Sequence, residues 1–580
     1  MLFHALLTLL ALAEAPPDLA EADRRFPDAD AVILRWTQSF TSLEDGTRVR
    51  RDHRHVLLRD ARAYGRYADQ RIDWRDSTDR LTIHTARTWL PGGGTLDVPH
   101  YAVNLASPGD VAGWPAFADW RQTIVSFMGL APGAVVELDY EIAQTPGATP
   151  FFAGELRVGE RDPTVWREVS FASPPSRPIR AVGLDLPPLA GEGRWVLGPV
   201  DAWPDEPRGP HWLAAAPRIR FTDAQDAAAF ARSFLDPASA AAGPDEAVAK
   251  FARDAAGDDP DPETRLKGLA ERLRAGFTVL DSPRAWAARS CRPAGESLDS
   301  GYGNPLEAAA LLAAGARSLG FSVRLRLALD RSLFEPAAPT DGAFAGLLVE
   351  ASGGGLGEPV ALEFRRGTVR LEGAFSGLAV LDPGAEGRPL AIPARGESGS
   401  LLRVTGALAL GPDGKLEGVL RVVLTGLFFD PAAVAETKAR EAFLSGLAGK
   451  VVSGLGVSGH SILELTPDRL EVRLEVSSPP LPKAAGCFVL ELGEVPIALS
   501  AFPLPLDSPE RRTPVVLPGP FREEVDVVVR APGPPAPEPL RIRRNLSVPA
   551  RLSPEVFRQI RTSVNRMRSP AGRIFVFRAP

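Results

Sequence analysis

The sequence predicts a multidomain chain built as an antiparallel β-sandwich, then an α+β domain, then a C-terminal β-sandwich-like domain. Three observations predict it. Runs of alternating apolar and polar residues, punctuated by Gly and Pro turns, occupy 25–205 and return after 385. Helical periodicity is concentrated between them. The chain also has 580 residues, 44% hydrophobic and 24% charged, more than one hydrophobic core accommodates. Its 54 Gly and 56 Pro cluster between the periodic segments, which suits short strands and loops rather than a helical bundle. The expected parts are a signal peptide at 1–15, the N-terminal sandwich at 16–205, a linker strand and helices at 206–257, the α+β domain at 258–384 and the C-terminal β-rich domain at 385–580.

The first fifteen residues carry a short apolar run over 6–13, with Ala11, Ala13 and Ala15 as small residues for cleavage, although no Lys or Arg precedes the run. The run is too short to span a bilayer, and no later stretch reaches about 18 uninterrupted apolar residues. The expectation is an exported protein, periplasmic or secreted, without a membrane span. Net charge is −6 with both signs intermixed, so there is no electrostatic case for nucleic acid or an anionic membrane as partner. The two cysteines, Cys291 and Cys487, fall in different expected domains and cannot form a disulfide framework. No Cys/His ligand cluster suggests structural zinc, and the expected cofactor and metal content is none.

Alternation predicts strands over 31–40 and 47–58, joined by the hairpin signal Glu44-Asp45-Gly46. Further strands follow over 81–88, 95–98 and 135–142. This segment resembles a family of unknown function that commonly precedes transglutaminase-like domains in exported bacterial proteins. The resemblance rests on Leu43-Glu44-Asp45-Gly46, Arg51-Asp52-His53, Leu81 through Arg87 running to Pro91-Gly92-Gly93, Phe117-Ala118-Asp119-Trp120-Arg121 and Tyr140-Glu141-Ile142. It implies a β-sandwich and no established chemistry.

A Pro-rich boundary at 204–210 precedes a strand over 218–222 and Ala-rich helices over 223–256. Asp258-Asp259-Pro260-Asp261-Pro262 then opens a helix to about 275, with Leu266, Leu269 and Leu273 on one face. Its acidic residues read as a helix start rather than a Ca²⁺ loop. The stretch 300–321 supplies a Gly turn and a central helix, with Asn304 as N-cap, Pro305 at the first helical position and Glu307 three residues past the cap. Leu311, Leu312 and Leu319 should be buried, with Gly320 ending the helix. Strands are expected over 323–329, 344–350 and 359–364. The C-terminal part offers strands over 401–410, 416–424, 461–465, 469–477 and 487–491, with helices over 431–447 and 553–561.

The Gly301-Tyr302-Gly303-Asn304-Pro305-Leu306-Glu307 stretch resembles the nucleophile helix of transglutaminase-like cysteine enzymes, which share a papain-like fold. That family uses a Cys at a helix N-terminus, a His that moves the proton and an Asp that orients the His. By order and spacing, the resemblance puts the Cys position on Pro305, the His position on Gly346 within Phe344-Ala345-Gly346, and the Asp position on Glu363 within Leu362-Glu363-Phe364. A literal Leu381-Asp382-Pro383 also occurs. Pro305 and Gly346 offer neither nucleophile nor base. The seven His stand at 4, 53, 55, 84, 100, 211 and 460, so the transglutaminase-like segment holds no imidazole in any register.

Other candidates are fewer. Cys291, between Arg289 and Arg292, is a relocated nucleophile only if those cations lower its pKa. His53 and His55 share one strand face and could hold a metal, but the sequence identifies no third ligand. Trp114 and Trp120 should fill the sandwich core or its rim rather than bind sugar. The expectation is therefore a non-catalytic binding or scaffolding protein, a pseudoenzyme of the transglutaminase-like superfamily. Its partner would be an unidentified peptide or envelope protein. The alternative is a thiol-dependent peptidase or acyltransferase using Cys291.

Overall fold

In a computed structural model of the chain, the alternation around Glu44-Asp45-Gly46 becomes a hairpin of β1 (Ala31–Ser42) and β2 (Arg48–Leu58). Gly46 turns it at φ +87°, a left-handed backbone that glycine adopts without steric cost. Residues 19–186, 193–203, 206, 216–330, 333–363, 367–369, 378–381, 389–391, 399–429, 437–466, 469–493, 496–507, 510–517, 519–531 and 538–578 are described. The expected signal peptide, most of the Pro-rich boundary and Asp382-Pro383 lie outside them. The chain divides into two compact units, Met1–Pro204 with Trp212–Ile392, and Asp205–His211 with Pro393–Pro580.

In the first unit the hairpin is extended by β3 (Asp79–Trp89), β4 (Thr95–Asp97), β5 (Val135–Gln144), β6 (Thr164–Ala172) and β7 (Arg194–Leu197). The seven strands run in the order β7-β6-β1-β2-β5-β3-β4. The sheet is not purely antiparallel as expected, because β1 and β6 pair in parallel. Parallel neighbours need a long connection, and here it runs through four intervening strands of the same sheet. One face buries Ile33, Val56, Leu58, Val136 and Leu138 against Ile72, Val125 and Phe127, which belong to or adjoin the three-stranded sheet of Asp69–Arg75, Trp120–Ser126 and Val103–Ala106. The opposite face is apolar at one end, where Val32, Leu34, Leu57 and Val135 meet Ala22 of α1 (Leu19–Arg25). Two residues further along β2 and β5, that face turns polar.

The stretch expected as a linker is built into the unit. Arg218–Thr222 is buried at every residue and pairs with both Arg180–Leu184 and Ala153–Arg157. Three helices follow, α2 (Ala227–Ala241), α3 (Glu246–Ala256) and α4 (Pro262–Gly276). Asp226, Asp245 and Asp261 cap them by accepting from Ala229, Val248 and Thr264 backbone N–H groups, so the acidic run before α4 is a helix start.

These helices surround α5 (Pro305–Ser318), which also packs on a six-stranded sheet. Its strands are β8 (Ser322–Asp330), β9 (Phe344–Ser352), β10 (Val360–Glu363), β11 (Gly367–Val369), β12 (Leu378–Leu381) and β13 (Pro389–Ala391), in the order β11-β10-β9-β8-β12-β13. The sequence suggests one buried face for α5; every residue from Leu306 to Ala316 is buried. A helix enclosed on all sides needs small residues where its neighbours come close. At Gly315 an added Cβ would sit 3.1 Å from Leu269. Leu319 is part-buried at the C-cap, and Gly320 leaves the helix at φ +89°.

The second unit centres on a sheet of β14 (Ser400–Leu410), β15 (Leu416–Thr425), β16 (Gly456–Thr466), β17 (Arg469–Ser477), β18 (Phe521–Arg530) and β19 (Leu540–Val548), in the order β16-β17-β15-β14-β18-β19. The helices α6 (Thr437–Val451) and α7 (Pro554–Arg568) contribute Leu444, Leu447, Phe557 and Val564 to its core. Strands β18 and β19 are additions to the sequence-based expectation. Glu206 belongs to this unit, accepting from the backbone N–H groups of Arg512 (2.7 Å) and Thr513 (2.9 Å). Among the described residues, no helix is long and apolar enough to cross a membrane.

Candidate functional site

The start of α5 is held by a complete capping box. Asn304 Oδ1 accepts from Leu306 N (2.9 Å) and Glu307 N (3.0 Å), and Glu307 Oε2 accepts from Asn304 N (2.9 Å). Pro305 has no N–H to offer. The orphan donors that make a helix N-terminus attractive to an anion are therefore absent or already occupied. The Asn304 amide donates to Ala285 O and Ser290 O, both at 3.1 Å, so this buried side chain is satisfied at both ends. Glu307, 3% exposed, also receives Arg292 through its backbone N–H (3.0 Å), Nε (2.7 Å) and Nη2 (3.1 Å).

Pro305 and Gly346 line the same cleft, of about 40 Å³, formed between α5 and β9. Ala308, Ala309, Leu312, Leu347, Val349 and Val279 make its walls, and the exposed Asp281 is the one ionisable residue among those lining it. Gly346 has φ +146°, and a Cβ added there would meet nothing within 4 Å. The position that the resemblance gives to the base thus faces open space and carries no side chain. Glu363 ends β10, which pairs with β9 through Val349 and Leu362, so it stands at the same end of the sheet as Gly346. Pro305, Gly346 and Glu363 therefore come from α5, β9 and β10 in that order. No imidazole lies between His211 and His460 in the sequence, and no residue lining the cleft is a Cys, Ser or His.

Cys291 is part-buried against the central core. Burial, then the Glu307 carboxylate, pushes its thiol up to about 12, and Arg292 only partly opposes this. The two cations that could have activated it are engaged elsewhere. Arg292 is paired with Glu307, and Arg289 with Asp341 (Nη1 to Oδ2 3.2 Å) while stacked 3.6 Å from the Phe234 ring centroid.

Trp114 and Trp120 differ from their expected place. They pack against a separate cluster of Val111, Phe117, Leu280, Ala285 and Tyr302, which fastens the N-terminal segment to the turn before α5. Trp120 Nε1 donates to Arg284 O (2.8 Å), and Tyr302 Oη accepts from Ala116 N (3.0 Å). Arg284 pairs with Asp110 (2.7 Å) and with Asp73. On the sheet, His53 and His55 acquire the third neighbour that the sequence did not identify, Glu137. The signal that could have found it is the alternation of β5, which puts Glu137 on a fixed face once its register against β2 is known.

A crystal structure of a "putative protease" from Parabacteroides distasonis is similar to this chain, with a TM-score of 0.61 and 17% identity. The match covers 94% of this chain and 99% of that one, a likeness of fold alone. An M1 zinc metallopeptidase from Deinococcus radiodurans aligns over 52% of this chain and 74% of its own at 13% identity, with a TM-score of 0.18 that carries no common architecture. Among curated proteins no relative matches the sequence. Within the chain, residues 44–188, which hold five of the seven strands of the large sheet from β2 to β6, match the family described as "Domain of Unknown Function with solved-structure structure (DUF3857)".

Proposed function

We propose that this chain is a non-catalytic binding or scaffolding protein on a transglutaminase-like fold, exported to the periplasm or beyond, whose cleft between α5 and β9 receives a peptide or envelope protein. The observation that carries the reading is the meeting of Pro305 and Gly346 in one apolar cleft. Acyl transfer through a thiol needs a nucleophile, a base and donors for the oxyanion. Here the nucleophile position is an imino acid, the base position has no side chain, and the helix N–H groups are consumed by Asn304. The competing reading, a thiol enzyme using Cys291, is opposed by a thiol held protonated at neutral pH.

Two measurements on the full chain test it. A thiol-directed electrophilic peptide probe should label Cys291 no faster than it labels a free thiol. Saturable labelling that disappears in Cys291→Ala would establish the enzyme reading instead. For binding, Ala345→Trp fills the exposed rim of the cleft without entering the core. A partner captured from an envelope extract by the unaltered chain and lost by Ala345→Trp supports the cleft as the binding site. Equal capture by both, or by neither, removes that support.

A further inference from the structure

The geometry points to His53, His55 and Glu137 as a site for one divalent transition-metal cation of the zinc class, on the solvent-facing side of the seven-stranded sheet. The three residues reach one face for a simple reason. Side chains alternate along a strand, so His53 and His55 of β2 point the same way. In the register of β2 against β5, Glu137 is the direct partner of His55. Both imidazole Nε2 atoms approach the same carboxylate oxygen, His53 at 3.1 Å and His55 at 3.5 Å from Oε1. All three ligand atoms lie within 4.8 Å of one another. A cation with bonds of about 2.0–2.2 Å in tetrahedral geometry keeps its ligand atoms roughly 3.3–3.5 Å apart, so only small shifts would be needed to seat one.

The surrounding groups orient the carboxylate. Oε2 is taken by Trp89 Nε1 (2.8 Å) and Arg87 Nε (3.3 Å), which leaves Oε1 directed at the imidazoles. The next pair along the face, Arg51 with Asp139 (2.6 Å), is closed on itself and does not compete for the site. The two rings are tilted at 51° with centroids 4.6 Å apart, not stacked flat. His55 is 8% exposed, so its Nε2 meets the Glu137 carboxylate in a setting largely closed to water. His53, with 31% of its side chain exposed, leaves a path from solvent and room for a water as fourth ligand.

The donor set fixes the class of ion. Two imidazoles and one carboxylate suit Zn²⁺ and its first-row neighbours, whereas Ca²⁺ and Mg²⁺ require mostly oxygen. Arg87 adds a positive charge beside the carboxylate, so affinity should fall short of that of a closed structural zinc site. A bound ion would tie β2 to β5 across the middle of the sheet.

The test uses the full chain, without an affinity tag and stripped with a chelator. Co²⁺ titration followed by visible absorption, and Zn²⁺ titration by calorimetry, should each give one equivalent at micromolar concentrations. His53→Ala and Glu137→Gln should each weaken binding at least about tenfold, as losing one of three ligands implies. Glu137→Gln retains an acceptor for Trp89, so the pair stays informative if one variant folds poorly. The inference is overturned if the unaltered chain takes up no ion, or if uptake survives in either folded variant, which would place the ion on other histidines.

Discussion

Two places in the first unit bring polar side chains together, and they are opposite in kind. At the start of α5, where the resemblance predicts chemistry, Asn304, Glu307 and Arg292 consume one another's donors and acceptors. On the face of β2 and β5, where the sequence offers two histidines and no third ligand, His53 and His55 converge through their Nε2 atoms on one carboxylate oxygen. A buried polar group with every partner supplied locally contributes structure. Convergent donors with an unfilled position are what a ligand requires. The difference teaches that location in a familiar fold is a weaker guide to chemistry than the state of the hydrogen-bonding groups.

The contrast breaks most visibly at Glu307. Glu307→Ala leaves Arg292 and the Asn304 N–H without their carboxylate in a site that is nearly closed to water. Removing one partner of a buried ion pair costs about 3–5 kcal/mol, and the same range is expected here, measured as the loss of unfolding free energy in urea. A loss below about 1 kcal/mol would mean that the network is incidental to stability.

A smaller effect, confined to alkaline pH, is expected at Cys291. Its thiol is raised from 9.0 to about 12, chiefly by burial. Below pH 9 both folded and unfolded chains hold the proton, and stability does not depend on it. As pH rises above 9 the unfolded thiol ionises while the folded one does not. The unfolded state then binds fewer protons, and stability falls by at most about 1.4 kcal/mol per pH unit until the folded thiol titrates. The difference in stability between the unaltered chain and Cys291→Ala, followed from about pH 8 to about pH 10, should shift by on the order of 1 kcal/mol in that direction. A flat difference would mean that the thiol is not desolvated, and would reopen its use as a nucleophile.

Much of this architecture was legible because it is local. Turn chemistry and alternation placed β1, β2, β3 and β5, and the Asn304-Pro305-Glu307 spacing announced the cap. What was not legible depends on distant pairings. The parallel contact of β1 with β6 and the approach of Glu137 to His53, 84 residues away, are matters of register that no single segment encodes. The burial of α5 on every side was hidden for a related reason, since alanines give no amphipathic stripe when all faces are covered. Trp114 and Trp120 are expected in the sandwich core or at its rim, and their packing on Leu280, Ala285 and Tyr302 is again a distant pairing that no local segment encodes. Strand β18 is a different matter: Val525, Val527 and Val529 are buried and alternate with the part-buried or exposed Asp526, Val528 and Arg530, a local pattern that the sequence does carry.

The smallest expected effect sharpens the contrast from the other side. His53→Ala, without metal, removes an imidazole that is one-third exposed, and it leaves Glu137 with His55, Trp89 and Arg87 as partners. No buried group loses its last partner, so the change in stability should stay within about 0.5 kcal/mol, as for most surface substitutions. The same urea experiment used for Glu307→Ala measures it. A cost approaching that of Glu307→Ala would make the histidine pair a structural knot like the one at α5, and the two regions would no longer differ. A small cost, together with loss of metal uptake, would mean that His53 is held in place for a ligand and not for the fold.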